Sequence, residues 1–285
     1  MEFEQIVIDT DRLAFPALAA GEGPVVVCWH GFPDHPATFG PLAERLVAAG
    51  RRVVEPFLRG LHPSHADAMA YADGLTLAAD AAAVARALGE GPVDLIGHDF
   101  GAGMVARTAA AWPHLVRRAV TMAVPPPAAL PGVFADPAQL QRLFYMWLFQ
   151  VPGIGDAALN LDLVDYLWAT WSPGLDIGGH RDRVHALYAD PALAANAIRV
   201  YRANFDTALH DPALADLAAT TEAPAPIPML VLGGEDDGCM PPSAYADAAA
   251  ALAPGSRVEI LSRAGHFMHL DRPDAVAALI GDWLR

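Results

Sequence analysis

The stretch VDLIGHDFGAGMVARTAAAW, residues 93–112, constrains the fold more strongly than any other part of the chain. Its opening, VDLIGHD, is a short apolar run typical of a buried strand, and GAGMVARTAAAW has the spacing of a helix. Gly97 and Gly101 bracket a turn of only a few residues, and glycine permits such a sharp change of direction. A buried strand that runs straight into a helix indicates a parallel sheet covered by helices, with Asp99 at the apex of the turn.

The rest of the chain repeats this alternation. Further strand candidates lie on both sides of residues 93–112, at EQIVIDT, LAFPAL, PVVVCW, RRVVEPF, RRAVTMAV, PMLVLGG and SRVEIL. Helix candidates lie at ATFGPLAERLVAAG, LAADAAAVARALGEG and DAVAALIGDWLR, and the first two end at glycine, a common C-terminal signal. We therefore predict an α/β fold with a mostly parallel sheet flanked by helices.

The alternation stops after Val124 and resumes near residue 223. The intervening stretch opens with PPPAALPG and then has helical, aromatic-rich character; it holds four of the six tyrosines and three of the six tryptophans. We predict a core of residues 1–124 and 223–285 and an inserted helical cap of residues 125–222. The aromatic side chains suit a lid over a mostly apolar pocket, although a helical subdomain also needs aromatics for its own core.

The composition disfavours several kinds of partner. A formal net charge of −15 argues against nucleic acid and anionic membranes, which both attract basic surfaces. No run of 18 apolar residues is present, and MEFEQIVIDT has no basic segment followed by an apolar one. Cys28 and Cys239 are too few for a disulfide framework, and His62 and His65 do not form a metal-ligand pattern. We expect a cytoplasmic protein without a metal; a homodimer is an open alternative to a monomer.

Polar residues that packing alone does not require follow several predicted strands. They lie in HGFPDH (30–35), GHDFG (97–101), GGEDDGC (233–239) and AGHFMHLD (264–271). Because the carboxyl ends of parallel strands meet at one edge of a sheet, these loops are expected to converge. In chain order they offer Asp99, then an acid, then His266. We favour Asp237 as the acid over its neighbours Asp236 and Glu235, and His266 over His269, which we interpret as a packing residue.

An aspartate at the apex restricts the chemistry. A carboxylate that attacked a carbonyl carbon would give an anhydride, which tends to collapse back to reactants. On a saturated carbon it displaces a leaving group and forms an ester on the enzyme. A histidine must then activate water to cleave that ester, which suits His266 with Asp237 orienting it. The plain alternative is that Asp99 is only the N-cap of a helix.

With its GHDFG elbow and HGFP loop, the chain resembles α/β-hydrolases of the epoxide hydrolase and haloalkane dehalogenase branch. The resemblance extends over essentially the whole length of the chain. The resemblance implies the α/β-hydrolase fold, a covalent alkyl ester on Asp99 and no cofactor. It also implies a cis bond between Phe32 and Pro33. We expect the backbone N–H groups of Phe32 and Phe100 to form an oxyanion hole.

Epoxide hydrolases and haloalkane dehalogenases differ in the hydrogen-bond donors that the leaving group needs. In dehalogenases the halide donors typically include a tryptophan just after the nucleophile and often an asparagine in the HG-x-P loop, positions that Phe100 and Phe32 occupy here. LFYMWLFQVPG resembles the first cap helix of soluble epoxide hydrolases, which places a ring-opening tyrosine at Tyr145. IRVYRANF resembles the segment that carries the second, at Tyr201.

We therefore predict an epoxide hydrolase, a hydrolase of ether bonds, that converts a small apolar or aromatic epoxide and water to a vicinal diol. The alternatives are a haloalkane or haloacid dehalogenase with the same Asp99, for which cap tryptophans could act as donors, and a non-catalytic ligand-binding protein. The residues expected to line the substrate pocket are His30, Pro33, Trp147, Phe149, Trp168, Trp171 and Met268.

Overall fold

A computed structural model describes residues 2–89 and 91–285 and contains one large sheet. Over these residues it has eight strands: β1 (Glu4–Asp9), β2 (Ala14–Ala20), β3 (Val25–Trp29), β4 (Arg52–Pro56), β5 (Val93–His98), β6 (Val116–Met122), β7 (Met229–Gly234) and β8 (Arg257–Leu261). Each of them falls on a stretch that the sequence predicts as a strand.

Across the sheet the strand order is β1-β2-β4-β3-β5-β6-β7-β8. The β1–β2 and β2–β4 pairs are antiparallel, and the pairs from β4 through β3 to β8 are parallel. The predicted α/β class with a mostly parallel sheet is confirmed. Because β3, β5, β6 and β7 run in the same direction, the loops after them open at one edge of the sheet.

Helices cover both faces of this sheet. In the described part of the chain there are thirteen: α1 (Gly40–Ala48), α2 (Gly74–Leu88), α3 (Phe100–Ala111), α4 (Leu130–Phe134), α5 (Pro137–Arg142), α6 (Phe144–Leu148), α7 (Ile154–Ala158), α8 (Leu161–Trp171), α9 (His180–Tyr188), α10 (Pro191–Arg202), α11 (Ala218–Glu222), α12 (Met268–Asp271) and α13 (Pro273–Trp283). None of these described helices is long and apolar enough to cross a bilayer.

The central strands are apolar at nearly every position because both of their faces are buried. Along β3, Val26 and Cys28 pack into the core beneath α1 and α13, whereas Val27 and Trp29 pack into the core on the opposite face, beneath α2 and α3. This alternation follows from the two-residue period of a strand. The sheet is therefore held rigidly between two apolar layers, which fixes the positions of the loops at its edge.

The residues between β6 and β7 contain helices α4–α11 and no strand, and all of them lie within the described chain. Much of this segment packs on the α2–α3 side, and α11 contacts α3 directly. The division at residues 124 and 223 into a core and a cap stays a prediction. What the structure adds is that these helices lie against the edge of the sheet where Asp99 is located.

Candidate active site

Asp99 occupies a tight elbow between β5 and α3. Its φ is 53° and its ψ −114°, in a region that non-glycine residues rarely adopt. Its side chain makes no capping hydrogen bond to α3. Instead, the backbone N–H of Phe32 donates to Oδ1 of Asp99 over 2.8 Å. An N-cap role therefore does not account for this residue, and such local strain is common at functional sites.

Three glycines make room for the elbow. A Cβ on Gly97 would lie 2.0 Å from the carbonyl oxygen of Gly101, and a Cβ on Gly101 would lie 2.0 Å from that of Trp29. Gly31, in the loop after β3, approaches Asp99 so closely that its Cβ would lie 2.3 Å from the Cβ of Asp99. The sequence indicates the first two positions, whereas the need for Gly31 is visible only in the tertiary structure.

The loop that contains Phe32 is braced from behind by His30. The bond between Phe32 and Pro33 is cis, as the resemblance implied. His30 is fully buried and accepts a hydrogen bond from the N–H of Leu58 through Nε2, over 3.2 Å, while its Nδ1 lies 3.1 Å from the carbonyl oxygen of Gly31. Burial lowers the pKa of His30 to about 4, so its ring is neutral and supports the loop.

His266 follows β8 and lies between two carboxylates. Its Nδ1 is 3.0 Å from Oδ2 of Asp237, and its Nε2 is 3.6 Å from Oδ2 of Asp99. Asp237 is buried, and its Oδ1 accepts hydrogen bonds from the backbone N–H groups of Cys239 and Met240 over 2.7 and 2.8 Å. These bonds fix the carboxylate, which in turn fixes the orientation of the imidazole ring.

The two rival acids are placed elsewhere. Asp236 and Glu235 are exposed, and Glu235 accepts a hydrogen bond from the backbone N–H of Arg263 over 3.1 Å. Of the three adjacent acids, Asp237 is thus the one whose carboxylate is within hydrogen-bond distance of His266. Asp236 and Asp237 are adjacent in sequence, but the turn after β7 leaves Asp236 exposed and Asp237 buried.

The charge environment favours the imidazolium form of His266. Burial alone would lower its pKa, but the charge and hydrogen bond of Asp237, with a smaller contribution from Asp99, raise it from 6.5 to about 10. His266 is fully buried, so water does not screen these interactions. Loss of the charge on either carboxylate would make the ring easier to deprotonate.

Behind His266 lies a buried polar group that the sequence did not reveal. His98 Nε2 is 3.1 Å from the backbone carbonyl oxygen of His266, and His98 Nδ1 is 3.4 Å from Oδ2 of Asp34. Burial would raise the pKa of Asp34, but the hydrogen bond and charge of His98 hold it below its ordinary value. His98 and Asp34 thus support the backbone of the histidine loop, and the only sequence signal was their place in the GHD and HGFPDH loops.

His269 completes this group rather than competing with His266. It stacks on Phe39 at 4.9 Å, its Nε2 is 3.3 Å from the hydroxyl of Thr38, and burial keeps its pKa well below 6.5. Among the described residues, Asp34, His98 and His269 are the group whose potential metal-ligand atoms come together, within 4.8 Å of one another. Asp34 and His98 already face each other there, so the arrangement is that of a packed hydrogen-bonded core.

The two predicted tyrosines meet above Asp99. Tyr145 lies on α6 and Tyr201 on α10, their ring centroids are 5.4 Å apart, and both are buried. The hydroxyl of Tyr145 is 3.9 Å from the sulfur of Cys239, and that of Tyr201 has no hydrogen-bond partner among the described residues. Burial raises the pKa of both phenols well above 10, so both keep their protons. The ring of Phe32 packs against both, 5.1 Å from that of Tyr201 and 6.1 Å from that of Tyr145.

A cavity of about 850 Å³ adjoins this group. Asp99, Phe100, Tyr145 and Tyr201 all line it, and most of the other side chains on its wall are apolar. The polar exceptions away from Asp99 include a guanidinium, an amide and a carboxylate, from Arg107, Asn204 and Glu222. Sequence reasoning missed these three side chains as pocket residues, although the helical spacing of Phe100 and Arg107 on α3 was a usable signal.

Of the seven residues predicted to line a pocket, Trp147 lines this cavity. The other six are placed outside it: His30, Pro33, Phe149, Trp168, Trp171 and Met268. Trp168 donates from Nε1 to the carbonyl oxygen of Pro33 over 2.6 Å, and the carbonyl of Trp171 accepts the N–H of His266 over 2.9 Å. The side chain of Trp168 thus braces the loop that contains Pro33, and the ring of Trp171 packs 4.8 Å from that of His266. Aromatic residues stabilise packing as readily as they line a pocket.

Comparison with known proteins identifies the family of this chain. The model of the α/β hydrolase fold matches residues 24–273. The chain belongs to the α/β-hydrolase fold family. Epoxide hydrolase 4 of Mus musculus is 27% identical over 98% of this chain and 78% of its own length, and Epoxide hydrolase A of Mycobacterium tuberculosis is 27% identical over 98% and 96%.

Solved structures agree with this fold. Epoxide Hydrolase A from Mycobacterium thermoresistibile superposes with a TM-score of 0.79 at 24% identity, covering 100% of this chain and 98% of the other. Potato epoxide hydrolase I gives a TM-score of 0.79 at 20% identity, covering 99% of each chain. In this α/β-hydrolase the elbow therefore carries an aspartate, followed along the chain by Asp237 and His266 in the order of acid and base that is usual for the fold.

Proposed function

We propose that this α/β-hydrolase is an epoxide hydrolase that opens an epoxide to a vicinal diol. The observation that carries the proposal is that Asp99, Tyr145 and Tyr201 line one cavity, with the rings of the two tyrosines 5.4 Å apart. A nucleophile for saturated carbon and two proton donors for an alkoxide are what ring opening requires. Two relatives that match nearly the whole chain are named epoxide hydrolases, which supports the same activity.

In the first step the carboxylate of Asp99 attacks the less hindered or more activated carbon of the ring. A carbon–oxygen bond forms between Asp99 and that carbon, the ring carbon–oxygen bond breaks, and its electron pair moves to the epoxide oxygen. A proton from Tyr145 or Tyr201 neutralises the alkoxide as it forms. Burial keeps both phenols protonated until that moment, since the raised pKa prevents earlier ionisation.

In the second step water cleaves the ester at the carbonyl carbon of Asp99. Esterification removes the negative charge of Asp99 and with it one of the two charges that hold the proton on His266. The imidazolium of His266 then gives up that proton, which restores the phenol that donated in the first step, and the neutral Nε2 accepts a proton from the attacking water. The tetrahedral intermediate collapses with cleavage of its bond to the diol oxygen, which takes the second proton of that water. Asp237 stabilises the imidazolium that forms. The products are the diol and the regenerated carboxylate.

We assign stabilisation of the oxyanion of this second step to two backbone N–H groups. That of Phe32 already donates to Oδ1 of Asp99 over 2.8 Å. That of Phe100 is in the first turn of α3, where backbone N–H groups have no partner within the helix. We assign helices α4–α11 to a lid that excludes bulk water from the cavity and supplies the two tyrosines.

The dehalogenase alternative lacks comparable support. A halide ion needs N–H donors, and the side chains on either side of Asp99 are the phenyl rings of Phe32 and Phe100, 6.0 Å apart. The indole N–H of Trp168, a possible donor, is taken by the carbonyl oxygen of Pro33. Phenol donors suit a strongly basic alkoxide better than a weakly basic halide.

The test is to trap the ester in a His266→Gln variant. Incubation with a panel of alkyl and aryl epoxides is expected to add the mass of one epoxide to the peptide that contains Asp99, detected by mass spectrometry after digestion. A double variant that also carries Asp99→Asn is the control and should show no adduct. Absence of an adduct on that peptide would disprove the proposed mechanism. An adduct from haloalkanes but from no epoxide would favour the dehalogenase.

A further inference from the structure

One face of α3 forms a continuous wall of the cavity. Phe100, Gly103, Met104 and Arg107 all line it, and their spacing is that of a single helix face. The cavity therefore extends along the helix from Asp99 to Arg107. Eight residues of α-helix separate these two positions, which corresponds to about 12 Å along the helix axis.

The guanidinium of Arg107 lies at the far end of this wall and has N–H groups without a hydrogen-bond partner among the described residues. Its one hydrogen bond to a described residue runs from Nη1 to the carbonyl oxygen of Gly103, over 3.3 Å. No carboxylate of the described residues lies within ion-pair distance of the Arg107 guanidinium. Asp73 contributes to the charge environment of Arg107. The carboxylate of Asp73 accepts hydrogen bonds from the backbone N–H groups of Leu75 and Thr76 at the start of α2. Burial lowers the pKa of Arg107, with partial compensation by Asp73 and Glu222.

The guanidinium lies in a slot that two glycines leave open. A Cβ on Gly74, at the start of α2, would lie 3.0 Å from Cζ of Arg107, and a Cβ on Gly103 would lie 3.0 Å from its Nη1. The side chain therefore fits between α2 and α3 beside the cavity. A buried cation is costly unless it is paired, and here the remaining N–H groups are free to bind an anion that enters the cavity.

We infer that Arg107 binds a carboxylate at the end of the substrate remote from the epoxide. The inference rests on the proposed function and specifies its substrate class, an epoxide that bears a carboxylate on an extended apolar chain. A separation of about 12 Å corresponds to roughly ten bonds of extended chain. The planar guanidinium can bind both oxygens of a carboxylate. The apolar part of the cavity wall, between Asp99 and Arg107, accommodates the chain.

The experiment compares 10,11-epoxyundecanoate with its methyl ester as substrates. The wild-type protein should have a kcat/KM for the acid that is about 10- to 100-fold higher than for the ester, the range of a hydrogen bond to a charged group. Arg107→Met should remove this difference, mainly by raising KM for the acid. Arg86→Met, at an exposed position on α2, is the matched control and should retain the preference. Equal values for acid and ester in the wild type would overturn the inference while leaving the epoxide hydrolase activity in place.

Two further variants keep the test decisive if Arg107→Met does not fold. Arg107→Lys retains the charge but loses the planar pair of donors, so the preference for the acid should fall only in part. Glu222→Gln removes a competing carboxylate from the cavity wall and should strengthen the preference. A weaker preference in Glu222→Gln would contradict the role given to Arg107.

Binding of a non-reactive acid separates this inference from the proposed function. Decanoate should quench the fluorescence of Trp147, which lines the same cavity, and a Trp147→Phe variant identifies that signal. Arg107→Met should weaken the binding of decanoate by about tenfold or more, and that of decanol much less. Binding that depends on Arg107 without turnover of either epoxide would reject the proposed function and retain the carboxylate site. Equal binding by wild type and Arg107→Met would reject the carboxylate site.

Discussion

Replacement of Asp237 by asparagine separates the two chemical steps. Oδ1 of Asp237 accepts the backbone N–H groups of Cys239 and Met240, so an asparagine must turn its carbonyl oxygen toward them. Its NH₂ group then faces Nδ1 of His266, which lies 3.0 Å from the present Oδ2. Nδ1 must become an acceptor, and the proton of the neutral ring moves to Nε2, which faces Asp99. In that tautomer Nε2 cannot accept a proton from water.

The size of the effect follows from the charges around the ring. The rise of the His266 pKa from 6.5 to about 10 corresponds to a net gain of about 5 kcal/mol in favour of the imidazolium, left after burial has opposed the attraction of Asp237 and, more weakly, of Asp99. Asp237→Asn removes the larger part of this stabilisation in addition to the useful tautomer. We expect kcat to fall by roughly 10³- to 10⁴-fold through the ester-hydrolysis step. Alkylation of Asp99 does not use His266 as a base, so the ester should accumulate.

The assay is rapid quenching followed by mass spectrometry of the intact protein, together with steady-state kcat. Asp237→Asn should show close to one epoxide bound per protein within the first turnovers, while the wild type shows little. Asp236→Asn, at the adjacent exposed position, is the control and should behave like the wild type. The reasoning is refuted if Asp237→Asn turns over within about tenfold of the wild type and accumulates no ester. A thermal melt of both variants checks that they are folded.

Three further predictions follow from the site. Conversion of both Tyr145 and Tyr201 to phenylalanine should slow ester formation by roughly 10²- to 10⁴-fold in rapid-quench experiments, and an unchanged rate would remove them from the mechanism. In single-turnover measurements, hydrolysis of the ester should accelerate with rising pH as His266 loses its proton. Its apparent pKa should lie below the value of about 10 in the free enzyme, because esterification has removed a negative charge; a higher pKa would contradict this account. Trp168→Phe deletes the 2.6 Å hydrogen bond to Pro33 and should lower the free energy of unfolding by about 1–3 kcal/mol, measured by urea titration.

The sequence was sufficient for the sheet and the elbow because their signals are local. Strands β3 and β5 are short apolar runs that end at polar loops, and helices α1 and α2 are followed by Gly50 and Gly89. The same local signals indicated Gly97 and Gly101, and a carboxylate at the apex already restricted the reaction to saturated carbon. The roles of Asp99, His266 and Asp237 stay predictions, but the structure brings their side chains together.

Local sequence patterns did not predict which side chains line the cavity. Trp168, Trp171 and Phe149 were predicted as pocket residues because they are aromatic and lie between β6 and β7. They are buried, and their rings pack against those of Phe267, Tyr145 and Tyr201, respectively, rather than lining the cavity that Asp99 lines. Burial alone does not distinguish an aromatic ring in a core from one on a pocket wall. That distinction depends on which neighbours fill the space beside the ring, and those neighbours are distant in sequence.

The sequence by itself determined the order of the strands along the chain and the elbow with an aspartate at its apex. Only the tertiary structure decided that Asp237 rather than Asp236 meets His266, that His98 and Asp34 support the histidine loop, and that Arg107 reaches the cavity that begins at Asp99. Secondary structure follows from the periodicity of neighbouring residues. A site is formed by side chains from separate loops and helices, and their distances are set by how the whole chain packs.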